Sequence, residues 1–222
     1  VERTKGTLTT TDLLPDQKVW ISVGHNGEVR RQAFAGISST SLRQAGANAA
    51  TALFTANTRD QLYIFTTDGR TRRVGIHEIA QDTAKHVADL TDLTRRDGIA
   101  AALALPRLTS DEATGYLFLV TVGGSVKRIS LADFVGAVST DPEVIRVEGK
   151  DKLGWVFRTQ GEGEVILVTA KGQSIRFREE DVRSMGLAAG GIGGMKVKKG
   201  DQIIAACAVD PNGDLVTVTS EG

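Results

Sequence analysis

The sequence predicts an all-β fold of repeated hairpins, a β-propeller of about five to six blades forming one domain over residues 1–222. Three observations carry that expectation. A hairpin-like segment recurs five times, centred on Gly27, Gly69, Gly124, Gly172 and Gly222, at intervals of 42, 55, 48 and 50 residues. Glycine is in excess, 25 of 222 residues beside only four prolines, as many tight turns require. The apolar runs are β-branched or aromatic and of strand length, too short for helices.

Taken in order, the first copy is Val19-Trp-Ile-Ser-Val-Gly-His-Asn-Gly27, followed by Glu-Val-Arg30-Arg31. The second runs from Leu62-Tyr-Ile-Phe through Asp68-Gly69 to Arg72-Arg73, and the third from Leu117-Phe-Leu-Val through Gly123-Gly124 to Lys127-Arg128. The fourth runs from Val165-Ile-Leu-Val through Gly172 to Ile175-Arg176, and the fifth, Leu215–Gly222, ends at its glycine. Asn-Gly, Asp-Gly and Gly-Gly supply the positive φ of a tight hairpin turn. First strands apolar on both faces suit a sheet sandwiched between neighbours. The residue four past each of the first four glycines is arginine, and each second strand is expected to end there. A further strand precedes the later hairpins, for example Ala52–Thr55, Trp155–Phe157 and Ile203–Ala206. A period of 42–55 residues is too long for β-helix coils, and a sandwich would not repeat its turn chemistry.

Between the second and third copies, Val74–Thr94 carries apolar residues at roughly helical spacing, but its place in the repeat favours an inter-blade loop. Ser130–Phe134 predicts one helical turn capped by Ser130.

Composition narrows the function classes. Lys plus Arg equal Asp plus Glu at 27 each, so any basic surface is local. No apolar run approaches a membrane span and no signal-peptide core follows the N-terminus, so a cytoplasmic setting is expected. Gly190–Lys196 fails as a phosphate loop, since Met195 separates glycine from Lys196 and Val197 follows; it reads as a flexible inter-blade loop. His25, His77 and His86 fall in different repeats and read as surface residues, with no metal site and no cofactor expected. Cys207, between Ala206 and Ala208, reads as an inert core thiol. Tyr63 and Tyr116 lie in strand runs, and no nucleophile–base arrangement stands out. The chain alone is expected to be non-catalytic.

Ser174-Ile-Arg-Phe-Arg-Glu-Glu-Asp-Val-Arg-Ser-Met-Gly186, the Thr-x-x-Gly turns and the trailing basic pairs resemble the C-terminal domains of bacterial type IIA topoisomerase A subunits, those of DNA gyrase and topoisomerase IV. The likeness covers essentially the whole chain. It implies a β-pinwheel, a propeller variant whose blades exchange hairpin strands and whose basic rim binds and bends duplex DNA for the catalytic core. It also implies an ATP-dependent parent working as an A2B2 complex with a B subunit. Two departures stand out. The family's basic, glycine-rich box is shortened here to Ser39–Ala49, with Arg43 its only charge, and Leu187, Gly190 and Gly193 stand where the family usually has arginines. Both remove positive charge and weaken the case for wrapping.

The expected partner is therefore duplex DNA, bound through its backbone without sequence preference. The candidate contacts are Arg30, Arg31, Arg72, Arg73, Lys127, Arg128, Arg176 and Arg178, of which strand alternation lets about half face one surface. The rival reading is a protein-interaction propeller with an incidental basic rim.

Overall fold

A computed structural model describes residues 14–36, 50–137, 142–187 and 189–216. Four hairpins lie within them: β1 (Lys18–Gly24) with β2 (Glu28–Ala33), β4 (Gln61–Thr66) with β5 (Thr71–Gly75), β8 (Tyr116–Thr121) with β9 (Ser125–Ser130), and β11 (Glu164–Thr169) with β12 (Ser174–Arg178). The turn of the fifth copy, at Gly222, lies outside the described residues. Each second strand continues two residues beyond the repeated arginine, so the expected strand end was short. The cause is the pairing register, which keeps Gln61 opposite Gly75 and Tyr116 opposite Ser130.

The repeated Thr-x-x-Gly closes the turn twice. Gly69, Gly124 and Gly172 each donate N–H to the threonine carbonyl three residues earlier at 3.0 Å. The buried hydroxyls of Thr66, Thr121 and Thr169 accept from Arg70, Ser125 and Gln173 at 3.1, 3.0 and 3.2 Å. The first hairpin has Gly24 in the threonine's place and uses the Asn26 side chain instead, which accepts from Glu28 N.

The strand before each later hairpin pairs with the hairpin behind it, not the one it leads into. Thus β3 (Ala50–Asn57) joins β1, β7 (Ile99–Leu105) joins β4, β10 (Leu153–Thr159) joins β8 and β14 (Ile203–Ala208) joins β11, all antiparallel. Outer strands come from still further on: β6 (Lys85–His86) pairs with β2, and β13 (Ile192–Gly193) with β9. The sheets are β3-β1-β2-β6, β7-β4-β5, β10-β8-β9-β13 and β14-β11-β12. The inner strands β3, β7, β10 and β14 touch in chain order and line an open central cavity of about 560 Å³. This is a strand-exchanging propeller.

Alternation along the first strands builds the core as layers between blades. Leu62 and Ile64 face the first blade's Val19, Ile21 and Val23, whereas Tyr63 and Phe65 face Leu117, Leu119 and Ile129 of the third. Phe118, Val120 and Val126 meet Val165 and Leu167 of the fourth. The strand β4 is accordingly buried at every position, while β1 and β11, with a described neighbour on one side, alternate.

Val74–Thr94 is not a helix: after the end of β5 it is a connecting stretch that carries β6 and two 3-10 turns, Ile76–Glu78 and Val87–Asp89. One short helix, α1 (Leu131–Ala137), follows β9, with Asp133 N donating to Ser130 Oγ at 3.1 Å, as the cap predicts. Its Phe134 packs on Tyr63 and Phe65. Two expectations are corrected. Gly190–Lys196 contains β13, because Gly194 and Met195 N–H groups bond Gly124 O at 2.9 and 3.0 Å. Cys207 is exposed, not a core thiol: Ile203 and Ala206 take the inward positions of β14 and turn Cys207 outward.

Candidate nucleic-acid interface

The inner strands begin beside the hairpin turns: Ile99 is opposite Thr66, Leu153 opposite Thr121 and Ile203 opposite Thr169. The segments leading into them therefore lie on the face that carries the turns. Each steps from one turn to the next. Residues 87–98 start where Val87 N donates to Gly27 O at 2.8 Å and end where Thr67 N donates to Gly98 O at 2.8 Å. Residues 144–152 run from Val144 N on Gly69 O at 2.7 Å to Val122 N on Lys152 O at 2.8 Å. Residues 195–202 run from Met195 N on Gly124 O at 3.0 Å to Ala170 N on Gln202 O at 2.9 Å. Carbonyl contact this close, with φ of +90° and +93°, is what only glycine permits at Gly69 and Gly124: a Cβ would lie 2.1 Å from Ile145 O and 2.4 Å from Met195 O.

These segments carry exposed cations: Arg95 and Arg96 on the first; Arg146, Lys150 and Lys152 on the second; Lys196, Lys198 and Lys199 on the third. Lys171, in the fourth hairpin's turn, is exposed beside them, and Lys85 precedes the first segment at the outer edge. Among the described residues only Arg95 of this set has an ion-pair partner, Asp89 at 3.0 Å. The charge balance turns positive along the chain: two arginines against three aspartates in residues 87–98, three cations against two acids in 144–152, and three lysines against one aspartate in 195–202. The result is a rim that is positive at the third and fourth hairpins. Such an arrangement can neutralise phosphates at successive points and carries no base-reading geometry.

The arginines and lysine expected from the hairpins are placed differently. Lys127 is fully buried, and its ammonium donates to Val144 O, Leu187 O and Ala189 O at 2.8, 2.7 and 2.7 Å. Burial pushes its pKa down to about 8. Arg128 is 8% exposed, its guanidinium 4.4 Å from the Tyr116 ring centroid and directed at Gly161 O of the next blade's approach. Half-buried Arg31 likewise reaches the next blade two interfaces earlier, donating to Ile76 O at 3.2 Å. The expectation of a solvent-facing phosphate contact therefore fails at Lys127 and Arg128 and is weakened at Arg31. These side chains join blades, because strand alternation aims them at packed neighbours. Of the rest, Arg72 is held by both oxygens of Asp92, Arg176 by Glu164 and Arg178 by Glu180 at 2.8 Å. Arg30 and Arg73 are exposed, with no ion pair among the described residues. Arg43 and the Ser39–Ala49 stretch lie outside the described residues; in chain order that stretch precedes β3 as the rim segments precede β7, β10 and β14.

Sequence reasoning missed the rim lysines because they sit at different offsets from the turn glycines. The signal available was a basic turn ending in aspartate directly before an apolar strand: Thr94-Arg-Arg-Asp97, Glu148-Gly-Lys-Asp151 and Lys198-Lys-Gly-Asp201. In each, the aspartate N–H closes a turn onto the carbonyl three residues earlier, at 3.1, 3.1 and 3.0 Å. Among the described residues, no group of three or more His, Cys, Asp or Glu is placed to hold a metal.

Known proteins share this architecture. The family model of the DNA gyrase C-terminal domain, beta-propeller, matches residues 115–137 and 163–209. The chain is 31% identical over 234 aligned residues to the DNA gyrase A subunit of Haloquadratum walsbyi, an alignment covering 98% of this chain and 27% of that protein. The crystal structure of the C-terminal domain of DNA topoisomerase IV superposes with a TM-score of 0.69 at 25% identity, covering 89% of this chain and 63% of that one. A DNA gyrase A C-terminal domain also superposes at 0.69, with 23% identity and coverage of 88% and 66%. The chain thus spans about a quarter of the length of the curated relatives it matches.

Proposed function

Because the chain belongs to the family of C-terminal domains of type IIA topoisomerase A subunits, we propose that it binds and bends duplex DNA through its turn-face rim. The observation that carries this reading is the series of rim segments with exposed lysines, concentrated in Arg146–Lys152 and Lys196–Lys199. Each cation that meets a phosphate releases condensed counterions, so binding is driven electrostatically and is indifferent to sequence. Bending a few tens of base pairs costs on the order of 1–6 kcal/mol, which several such contacts offset. Exposed Arg30 and Arg73 add to the rim, while Arg72, Arg176 and Arg178 would exchange a carboxylate for a phosphate.

The domain does no chemistry in this reading. It delivers a DNA segment to the catalytic core of its parent protein, within an ATP-dependent A2B2 enzyme in the bacterial cytoplasm, for supercoiling, relaxation or decatenation. The test is a salt titration of duplex binding. With four or five phosphates neutralised, log K falls against log salt with a slope of roughly −4. Replacing Lys150, Lys152, Lys198 and Lys199 with alanine makes it shallower by about one for each true contact. Equal binding by that variant and the wild type at low salt would move the protein-interaction reading ahead.

A further inference from the structure

The rim turns share a device that net charge disguises. Asp151 Oδ1 accepts from Gly123 N at 2.7 Å, in the third hairpin's turn, and from Lys152 N at 2.7 Å. Asp201 Oδ1 accepts from Lys171 N at 3.1 Å, at the same position of the fourth hairpin's turn, and from Gln202 N at 2.9 Å. Asp97 reaches the second turn through Arg70 Nη2 at 2.5 Å and also holds Thr94 N at 2.6 Å. Each aspartate is the last residue of a four-residue turn whose tip carries a cation: Arg95 and Arg96, Lys150, and Lys199. Each of these acids thus stands beside rim cations, where charge alone makes it harmful to anion binding. Each is bonded to the hairpin of the blade it approaches, so each ties its basic tip to a rigid sheet.

We propose that Asp151 and Asp201, and by the same geometry Asp97, are positioning residues for DNA binding: they clamp the basic turns to the hairpin turns and hold the tip lysines in register along the rim. This rests on the DNA-binding reading above and adds to it. An untethered lysine must lose its loop's freedom on meeting a phosphate, whereas a clamped one has lost it on folding.

The test separates charge from position. In the Asp151→Asn/Asp201→Asn chain the amide oxygen still accepts from the turn N–H groups; in Asp151→Ala/Asp201→Ala nothing does. Both variants remove the same two negative charges. The Asn variant should bind a duplex of about 40 base pairs at least as tightly as wild type, with the same salt slope. The Ala variant should bind more weakly than the Asn variant, with a slope shallower by about 2 as Lys150 and Lys199 leave the set of phosphate contacts. Melting curves and amide exchange at Gly123 and Lys171 accompany both, because a clamp lost from an intact fold unprotects those two amides in the Ala variant alone. Equal binding by the two variants, both tighter than wild type, would make the aspartates mere charges and overturn the proposal. Failure of the wild type to bind at all would overturn the DNA reading and this one with it, even with the amides still protected.

Discussion

Replacing Lys127 with methionine tests whether the buried ammonium belongs to the fold or to a DNA surface. Its three acceptors, Val144 O, Leu187 O and Ala189 O, lie on the segments following the third and fourth hairpins, so one side chain ties three stretches of chain. Methionine keeps the stem's packing and removes the donor. An orphaned buried acceptor costs about 1–3 kcal/mol, partly offset by no longer burying a charge. A net loss of roughly 2–4 kcal/mol at pH 7 is expected. The pH dependence is the sharper signature. Lys127 titrates at about 8 in the folded chain against an ordinary 10.5. Between those values the unfolded chain holds the proton and the folded chain does not, so wild-type stability rises with pH. This contribution is fully present above the unfolded value and is lost as pH falls through the folded one. Its ceiling is roughly 3 kcal/mol, at about 1.4 kcal/mol per decade. Urea melts of wild type and Lys127→Met at steps from about pH 7 to pH 10 should show the gap between them widening by roughly 2–3 kcal/mol. The buried Tyr63, whose pKa is also raised, titrates in both chains and cancels. A gap that is constant or narrows with pH would refute the downward shift and show that the three carbonyls hold the proton as firmly as water does, and a shallower DNA salt slope in the folded variant would refute its purely structural role.

Arg128→Ala should cost about 1–3 kcal/mol in urea melts, through the lost stack on Tyr116 and the lost inter-blade contact, with the DNA salt slope unchanged; a shallower slope would return Arg128 to the interface. Gly124→Ala should be far more damaging than Gly172→Ala, by roughly 2 kcal/mol or more. Both need positive φ, but a Cβ at Gly124 meets Met195 O, whereas none of the described atoms lies within 4 Å at Gly172; equal costs would show that contact to be soft. Cys207 should react with an aqueous thiol reagent in the folded chain nearly as fast as in urea, and protection in the native state alone would return it to the core.

The hairpins were legible because their information is local. A threonine, two residues and a glycine define a turn within four positions, and the flanking apolar runs fix the strands. The exchange of strands was not: nothing in Ile99–Leu105 says that it pairs with the hairpin behind it, since either pairing satisfies the same alternation. The arginine four past each glycine was visible, but it has no single role: Arg73 and Arg176 are exposed, whereas Arg31 and Arg128 turn toward the neighbouring blade. In a repeat protein a residue recurring at one position marks a recurring contact, and the commonest is unit against unit, as at Arg31 and Arg128. The rim lysines stand on segments of unequal length, so they share no offset, only a shared place beside the turns. Cys207 was misjudged because an Ala-Ala-Cys-Ala run looks interior, yet Ile203 and Ala206 already fill the inward positions of that strand.

The borrowing of strands between neighbours makes the repeat boundary and the blade boundary fall in different places. A cut that looks clean in the sequence, after Arg178 for instance, removes β13 from the third sheet and β14 from the fourth, so it damages two blades. Duplicating or deleting one whole sequence period is milder, because the unit gained or lost both lends and borrows and the pattern re-forms around it. Blade number can therefore drift by whole units, while truncations inside a period are punished twice. On the ribosome the same arrangement imposes a delay: the first sheet lacks its outer strand until Lys85 and His86 have emerged, after the second hairpin is complete. The first and third sheets each close one hairpin late, and until then the growing chain trails an unfinished edge.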